Sequence, residues 1–234
     1  MVKIGSVMRR ASEQIVSVGY GAVLTLRNLS VAVLASMGMV HADTVTIAAL
    51  GDSLTAGYGL PQEHGLVPQL ETWLQTRGAD VAIVNAGVSG DTTAGGLSRV
   101  DWTLTPDIDA MIVTLGGNDY LRGLDPAVSR QNLDGILARG QAADVEMLLV
   151  GLQVGANYGQ DYKTEFETMY ADLSAKYGIA LYPDFGAGLR AAAGTDGGIS
   201  EFMQADGIHP NKDGVTAIVE AMGPAVLDLI AAVD

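Results

Sequence analysis

The feature that most constrains the fold is an alternation of short apolar runs with longer amphipathic segments through residues 43–234. Short, partly β-branched runs that end at glycine predict buried strands, and apolar residues at helical spacing predict helices. Such an alternation predicts a parallel sheet covered on both faces, hence an α/β fold with three α/β/α layers. The predicted strands are residues 45–50, 81–84, 110–115, 146–152 and 179–182. The predicted helices are residues 61–77, 92–104, 126–143, 162–177 and 213–233.

Polar loops that contain glycine follow the first three predicted strands. They are residues 51–53, 85–91 and 116–119. In a parallel α/β sheet the functional residues lie on loops beyond the carboxyl ends of the strands. We therefore expect these three loops to meet at one edge of the sheet and to form the functional site.

Ser53, within Gly51-Asp52-Ser53-Leu54, is the candidate nucleophile. It follows a strand and should open a helical turn, where unpaired backbone N–H groups can stabilise a developing negative charge. The alternative is an ordinary helix-capping or turn serine, since serine is a preferred cap. The Gly-x-Ser-x-Gly elbow of the α/β-hydrolases is absent, so Ser53 is not a nucleophile of that kind.

His209 is the candidate general base among only three histidines. His41 falls in the N-terminal leader and His64 in a polar stretch that resembles a solvated loop. Asp206, three positions before His209, can reach the imidazole Nδ1 and leave Nε2 free to face a serine. The alternative is a surface Asp-Gly turn beside a bystander histidine.

Two further residues are candidate oxyanion donors. Gly90 would let a backbone N–H approach a substrate oxygen closely, and Asn118 offers a side-chain donor that needs no deprotonation. Both residue types are also common turn formers, which is the alternative for each. Asp52 and Asp91 are interpreted as carboxylates that organise their loops by accepting backbone N–H bonds.

Four blocks in order carry a resemblance that covers residues 43–234. They are Gly51-Asp52-Ser53-Leu54, Ser89-Gly90-Asp91, Gly116-Gly117-Asn118-Asp119 and Asp206-Gly207-Ile208-His209-Pro210. This set resembles the GDSL, or SGNH, hydrolase superfamily. Within it, the chain is most similar to the bacterial periplasmic group of multifunctional acyl-CoA thioesterases, lysophospholipases and arylesterases.

The resemblance implies a flavodoxin-like sandwich with strand order 2-1-3-4-5 and a serine hydrolase acting on esters, thioesters or lysophospholipids. It implies Ser53 as nucleophile, His209 as base with Asp206 as its partner, and an oxyanion hole of Ser53, Gly90 and Asn118. No metal or cofactor is expected. Residues 120–124 correspond to a mobile substrate loop in the family. One departure is Val154-Gly155, where thioesterase members carry a Leu-Pro pair that borders the acyl pocket.

Composition removes several other functions. The chain has no cysteine, which excludes thiol catalysis, disulfides and thiolate metal sites. Its net charge of −14 argues against a nucleic-acid partner. Two alternatives on the same scaffold are a carbohydrate O-acetylesterase and a binding protein without chemistry. A flavin- or nucleotide-binding module is disfavoured because Gly51-Asp52-Ser53 lacks the lysine and glycines of a phosphate loop.

Residues 1–42 are predicted to be a secretory signal peptide. Four basic residues accompany an apolar stretch over residues 29–40, and Val40-His41-Ala42 resembles the small-residue cleavage site of a signal peptide. Cleavage is expected after Ala42, with Met1 or Met8 as the start, which would place the mature protein in the periplasm or outside the cell. A retained anchor or an N-terminal helix is the alternative. The mature chain is expected to be a monomer without a membrane span.

Overall fold

The computed structural model describes residues 44–194 and 198–233. The predicted signal peptide lies outside the described residues. The strands are β1 (Val45–Gly51), β2 (Val81–Gly87), β3 (Ala110–Thr114), β4 (Glu146–Val150) and β5 (Ala180–Tyr182). The helices are α1 (Ser53–Ala56), α2 (Leu66–Gln75), α3 (Thr93–Thr103), α4 (Gly117–Leu121), α5 (Pro126–Ala142), α6 (Gln160–Tyr177), α7 (Ala187–Ala193) and α8 (Lys212–Ala231), with 3-10 segments at Gln62–His64 and Ile199–Phe202.

The five strands form one parallel sheet in the order β2-β1-β3-β4-β5. This confirms the predicted strand order. Chain order reverses beside β1, which pairs with β2 on one side and β3 on the other. The loops after these three strands therefore converge at the edge of the sheet where α/β proteins bind ligands.

Two apolar clusters cover the two faces of the sheet. Ile47 of β1 belongs to the cluster that contains Leu70 of α2 and Ile218 of α8. The next residue, Ala48, belongs to the other cluster, together with Leu133 of α5 and Phe166 of α6. Because successive strand residues point to opposite faces, β1 contributes to both clusters and is the buried centre of three layers.

Local signals set the ends of several helices as predicted. Pro126 lies in the first turn of α5, after Asp125, whose side chain accepts a hydrogen bond from Ala127 N. Gly178 ends α6 in the left-handed conformation at φ 67°. These residues fix where α5 begins and where the loop from α6 to β5 begins.

The structure differs from the sequence prediction in three helical regions. One is α4 (Gly117–Leu121), a helix that starts within the loop predicted over residues 116–119. The helix expected over residues 61–77 begins only at Leu66, because Gly65 is extended at ψ 166° and separates it from the 3-10 segment. Helix α7 was not predicted, because its seven residues are mainly alanine and glycine and show little periodicity. None of these differences moves a strand or changes the sheet order.

Helix α8 has the length and apolar composition of a membrane-crossing segment. Its buried residues, which include Ile218, Met222 and Val226, belong to the cluster on one face of the sheet. A core helix that packs a broad apolar face has the same composition as such a segment. The packing accounts for its hydropathy.

Candidate active site

Ser53 is the first residue of α1, directly after β1. The capping position belongs to Asp52, whose Oδ1 accepts a hydrogen bond from Leu54 N at 3.0 Å. The alternative role of Ser53 as the helix cap is therefore taken by its neighbour. Among the described residues, no hydrogen bond uses the backbone N–H of Ser53, so this donor remains available at the start of the helix.

Ser53, His209 and Asp206 form a continuous chain of hydrogen-bonding atoms. The His209 Nε2 lies 2.9 Å from the Ser53 Oγ, although the two residues are 156 positions apart in the chain. On the other side of the ring, His209 Nδ1 lies 2.7 Å from Asp206 Oδ2. The structure thus brings together the three residues that the sequence analysis singled out for nucleophilic chemistry.

Asp206 is fixed by its own loop. Its Oδ1 accepts hydrogen bonds from the backbone N–H groups of Ile208 at 2.9 Å and His209 at 3.0 Å. The His209 backbone and side-chain bonds, together with the Ile208 bond, lower the pKa of Asp206 from 3.8 to about 2. Asp206 therefore stays ionised at neutral pH, and it orients the imidazole by accepting from Nδ1.

A glutamine that the sequence analysis did not single out joins the two halves of this site. Gln204 Nε2 donates to the Tyr58 carbonyl at 2.8 Å and to the Pro210 carbonyl at 3.0 Å. Its backbone N–H donates to the His209 carbonyl at 2.8 Å. The Tyr58 ring lies against the His209 imidazole, with ring centroids 4.6 Å apart. Gln204 therefore ties the segment after Ser53 to the loop that carries His209.

The loop after β2 presents Gly90 to the same cavity as Ser53. Gly90 has φ 82°, a backbone conformation that residues other than glycine rarely adopt. Its carbonyl accepts a hydrogen bond from Arg122 Nη2 at 2.7 Å. Its backbone N–H takes part in none of the hydrogen bonds found within the described ranges. The peptide is thus held by its carbonyl while its N–H is available to a ligand.

Asn118 lies in α4, after β3, and lines the same cavity. One N–H of its side chain donates to Asp52 Oδ2 at 3.2 Å, which leaves the second for a ligand. Asp52 is almost fully buried, and burial raises its pKa from 3.8 to about 6, against the opposing hydrogen bonds from Leu54 and Asn118. Asp52 thus holds both the start of α1 and the amide of Asn118.

Asp91 organises its loop by a different contact from the one predicted. Its Oδ2 pairs with Arg99 Nε at 2.7 Å, and none of the hydrogen bonds in the described residues brings it a backbone N–H. Arg99 also donates to the carbonyls of Ala86 at 2.7 Å and Gly51 at 2.8 Å. The arginine therefore links the ends of β1 and β2, and Asp91 fixes the arginine.

Asp119, next to Asn118, is the buried anchor of α4. It is 0% exposed and accepts from the Thr93 N–H at 2.9 Å, the Thr93 hydroxyl at 2.6 Å and the Ser129 hydroxyl at 2.9 Å. These bonds join α3, α4 and α5. Asn118 is therefore presented by a helix that cannot shift without breaking buried hydrogen bonds.

Residue spacing along the chain does not identify the roles of Gln204, Arg99, Arg122 or Asp119. Each acts through a contact with a residue distant in the chain, and none stands in a spacing that indicates its partner. The position of Asp119 beside a candidate donor was the one available signal.

The cavity in front of Ser53 has a volume of about 380 Å³. Its polar end contains Ser53, His209, Gly90 and Asn118, whereas much of the remaining wall is apolar. The apolar and aromatic lining residues are Leu54, Tyr58, Tyr120, Leu121, Leu152, Val154 and Ile208. Such a cavity suits a ligand with one polar, reactive group and a hydrocarbon part.

Within residues 44–194 and 198–233, no three histidine, aspartate or glutamate side chains are grouped so as to hold a metal ion.

The chain is similar in sequence to a known protein family and to several characterised proteins. The model of the GDSL-like Lipase/Acylhydrolase family matches residues 49–217. The chain is 38% identical over 186 residues to the protein named Esterase TesA of Pseudomonas aeruginosa, an alignment that covers 79% of this chain and 89% of that protein. It is 35% identical over 190 residues to Thioesterase 1/protease 1/lysophospholipase L1 of Escherichia coli strain K12, covering 81% of this chain and 86% of that protein.

A solved structure shows the same architecture. The crystal structure of AlinE4, described as an SGNH-hydrolase family esterase, superposes with a TM-score of 0.64 at 42% identity. The match covers 82% of this chain and 98% of that chain.

Proposed function

The chain belongs to the GDSL-like lipase/acylhydrolase family and is an ester hydrolase, and we propose that it cleaves its substrates through an acyl-enzyme intermediate on Ser53. The observation that carries this proposal is the chain of contacts from Ser53 Oγ through the His209 ring to Asp206, at 2.9 Å and 2.7 Å. A hydroxyl, a base and a carboxylate in this order are what acyl transfer to serine requires.

In the first step, Ser53 Oγ attacks the carbonyl carbon of an ester or thioester while His209 Nε2 takes the hydroxyl proton. The carbonyl π electrons move to the oxygen, which becomes an oxyanion. The tetrahedral intermediate then collapses, the bond to the leaving oxygen or sulfur breaks, and His209 gives its proton to the leaving alcohol or thiol. The acyl group remains on Ser53.

Three donors suit the oxyanion: the N–H groups of Ser53 and Gly90 and the free amide N–H of Asn118. All three residues line the same cavity. Because Arg122 and Asp52 already hold the Gly90 peptide and the Asn118 side chain, little reorganisation is needed when the charge develops.

Water completes the cycle by the same route. His209 takes a proton from water while the water oxygen attacks the acyl carbon. The ester bond to Ser53 then breaks, and His209 gives the proton back to Ser53 Oγ as the acid is released. Asp206 accepts from Nδ1 throughout and stabilises the imidazolium, because its low pKa keeps it ionised.

Replacement of the nucleophile tests the proposal. Ser53→Ala should reduce p-nitrophenyl ester hydrolysis to the background rate and abolish covalent labelling by a fluorophosphonate, since the attacking oxygen is gone. Ser98→Ala, which removes an exposed hydroxyl on α3, is the matched control and should retain both properties. Ester hydrolysis by pure Ser53→Ala protein at more than a small fraction of the wild-type rate would refute the acyl-serine mechanism.

The substrate is a small molecule with an ester or thioester bond, and lysophospholipids are among the proposed substrates. The names of the relatives, which include esterase, thioesterase and lysophospholipase, support this range. We also propose that the mature protein is a monomer in the periplasm or outside the cell. A leader with basic residues, a short apolar core and a small-residue cleavage site supports that location.

A further inference from the structure

Tyr120 forms part of the wall of the cavity in front of Ser53. From its contacts we infer that Tyr120 limits the length of acyl chain that the cavity accepts, so that the protein favours short-chain esters; this rests on the proposed ester hydrolysis at Ser53. Four features of the structure carry the assignment: the place of Tyr120 in α4, the aromatic rings behind it, the glycine opposite it and the anchoring of that glycine's segment.

Tyr120 is placed by the same helix that presents the oxyanion donor. It lies in α4, two residues after Asn118, and both residues line the cavity. The helix is anchored through buried Asp119. The backbone at Tyr120 is therefore held next to Asn118, because α4 shifts only if these buried hydrogen bonds break.

Behind Tyr120 the space is occupied by other aromatic rings. Its ring centroid lies 5.8 Å from that of Tyr158, 6.3 Å from Tyr162 and 6.1 Å from Phe166. Phe166 is fully buried in the core and does not line the cavity. The Tyr120 ring thus separates the cavity from the aromatic side chains of α6.

Opposite the phenol, Gly155 leaves the space that the Tyr120 hydroxyl needs. A Cβ at position 155 would lie only 2.9 Å from the Tyr120 Oη, closer than such contacts occur. Gly155 and Val154 both line the cavity. The hydroxyl therefore reaches across to this segment, and the side chain fills the gap between α4 and the loop after β4.

The loop after β4 is itself held to α6. The Val154 N–H donates to Glu167 Oε1 at 2.8 Å, and the Val154 carbonyl accepts from Lys163 Nζ at 2.7 Å. Lys163 and Glu167 also pair with each other. Tyr120 is therefore the side chain that fills the gap between two anchored segments, and its removal would enlarge the cavity in this direction.

The consequence is a dependence of rate on acyl length. Each methylene of the acyl chain that is buried in an apolar cavity raises kcat/KM about fourfold. A methylene for which the cavity has no space leaves kcat/KM unchanged or lowers it. Wild-type kcat/KM should therefore be highest with p-nitrophenyl acetate or butyrate and fall toward octanoate and decanoate.

Tyr120→Ala tests the assignment with the series acetate, butyrate, hexanoate, octanoate and decanoate. With each kcat/KM divided by the value for acetate, Tyr120→Ala should shift the optimum to a longer ester and raise the relative value for octanoate about tenfold or more. Tyr120→Phe keeps the ring and should keep the wild-type order of esters. Trp102→Ala, which removes a ring that is 85% exposed on α3, controls for loss of an aromatic residue elsewhere.

Thermal unfolding and fluorophosphonate labelling of Ser53 establish that each variant is folded. If Tyr120→Ala does not fold, Tyr120→Leu, which is shorter than tyrosine but apolar, carries the same expectation. An active variant with the wild-type order of esters, or a wild-type optimum at decanoate, would overturn the role of Tyr120. Neither result would contradict the acyl-serine mechanism, which Ser53→Ala tests separately.

Discussion

At the scale of single residues, Asp52 and Ser53 are neighbours that the tertiary structure assigns to different tasks. Ser53 points its hydroxyl at His209, while Asp52 is buried and holds both the Leu54 N–H and the Asn118 amide. A buried carboxylate is costly when ionised, and the pKa of Asp52, raised to about 6 chiefly by burial, expresses that cost. Orientation of Asn118 is thus obtained at the expense of stability.

Asp52→Asn should separate the cost of the buried carboxylate to stability from its role in orienting Asn118. The pKa of Asp52 in the folded protein, about 6, exceeds its ordinary value of 3.8. The loss of folding stability caused by burying the ionised carboxylate is therefore absent below about pH 4, grows as pH rises and is complete above about pH 6. The variant should therefore gain stability relative to wild type between pH 4 and pH 8, by at most about 3 kcal/mol. Urea unfolding at both pH values measures the difference.

The same variant should lose activity. An amide at position 52 can still accept from Leu54, but its NH₂ faces that of Asn118, so the bond that orients the oxyanion donor is lost. We expect a lower kcat with a smaller change in KM. A stability difference from wild type that is equal at pH 4 and pH 8 would contradict the buried-carboxylate account.

At the scale of elements, the site depends on loops from opposite ends of the chain that are held in register. Gln204 connects the segment after α1 to the loop before α8 through the carbonyls of Tyr58 and Pro210. The bond between Ser53 and His209 joins the same two regions. Alignment of the nucleophile with its base is therefore a property of the loop pair.

Gln204→Met should loosen that alignment. Loss of two side-chain hydrogen bonds should lower the free energy of unfolding by about 1–3 kcal/mol. Because proton transfer requires His209 Nε2 at the Ser53 hydroxyl, kcat should fall more than KM rises. Steady-state kinetics with p-nitrophenyl butyrate and urea unfolding measure the two effects.

Gln75→Met is the matched control for this change. Gln75 also donates from its amide to a backbone carbonyl, that of Val81 at 3.0 Å, but at the start of β2. The control should lose stability and retain kcat. If Gln204→Met lost stability but kept the wild-type kcat, Gln204 would be a structural link with no part in positioning His209.

At the scale of the whole molecule, residues 43–234 form one unit that contains every element of the sheet and every proposed site residue. A chain that begins at Asp43 should therefore fold alone and hydrolyse p-nitrophenyl esters. Protein exported from a bacterial host that carries the full sequence should begin at Asp43, because the predicted leader ends at Ala42.

N-terminal sequencing of the exported protein, with Tm and kcat/KM of the shorter chain beside it, checks this prediction. Equal Tm and kcat/KM for the two preparations are expected. A mature N-terminus upstream of residue 43, or a shorter chain that does not fold, would contradict the proposed boundary.

The amino-acid sequence by itself determined the fold class, the strand order through family resemblance, and the five candidate site residues. The periodicity of apolar residues is visible along the chain. So are a serine, a glycine and an asparagine after the first three apolar runs, and an Asp-His pair before the last helix. The start of the helix at Leu66 was not predicted, because the apolar pattern continues through Gly65 while the backbone there is extended.

Only the tertiary structure decided which partner each side chain takes. It gave the cap position to Asp52 and not Ser53, paired Asp91 with Arg99 and not with backbone N–H groups, and set Tyr120 against Gly155. Such contacts join residues far apart in sequence, and they depend on strand order, loop register and the space left by neighbouring side chains. Spacing along the chain records none of these, whereas it does record which residues face the core.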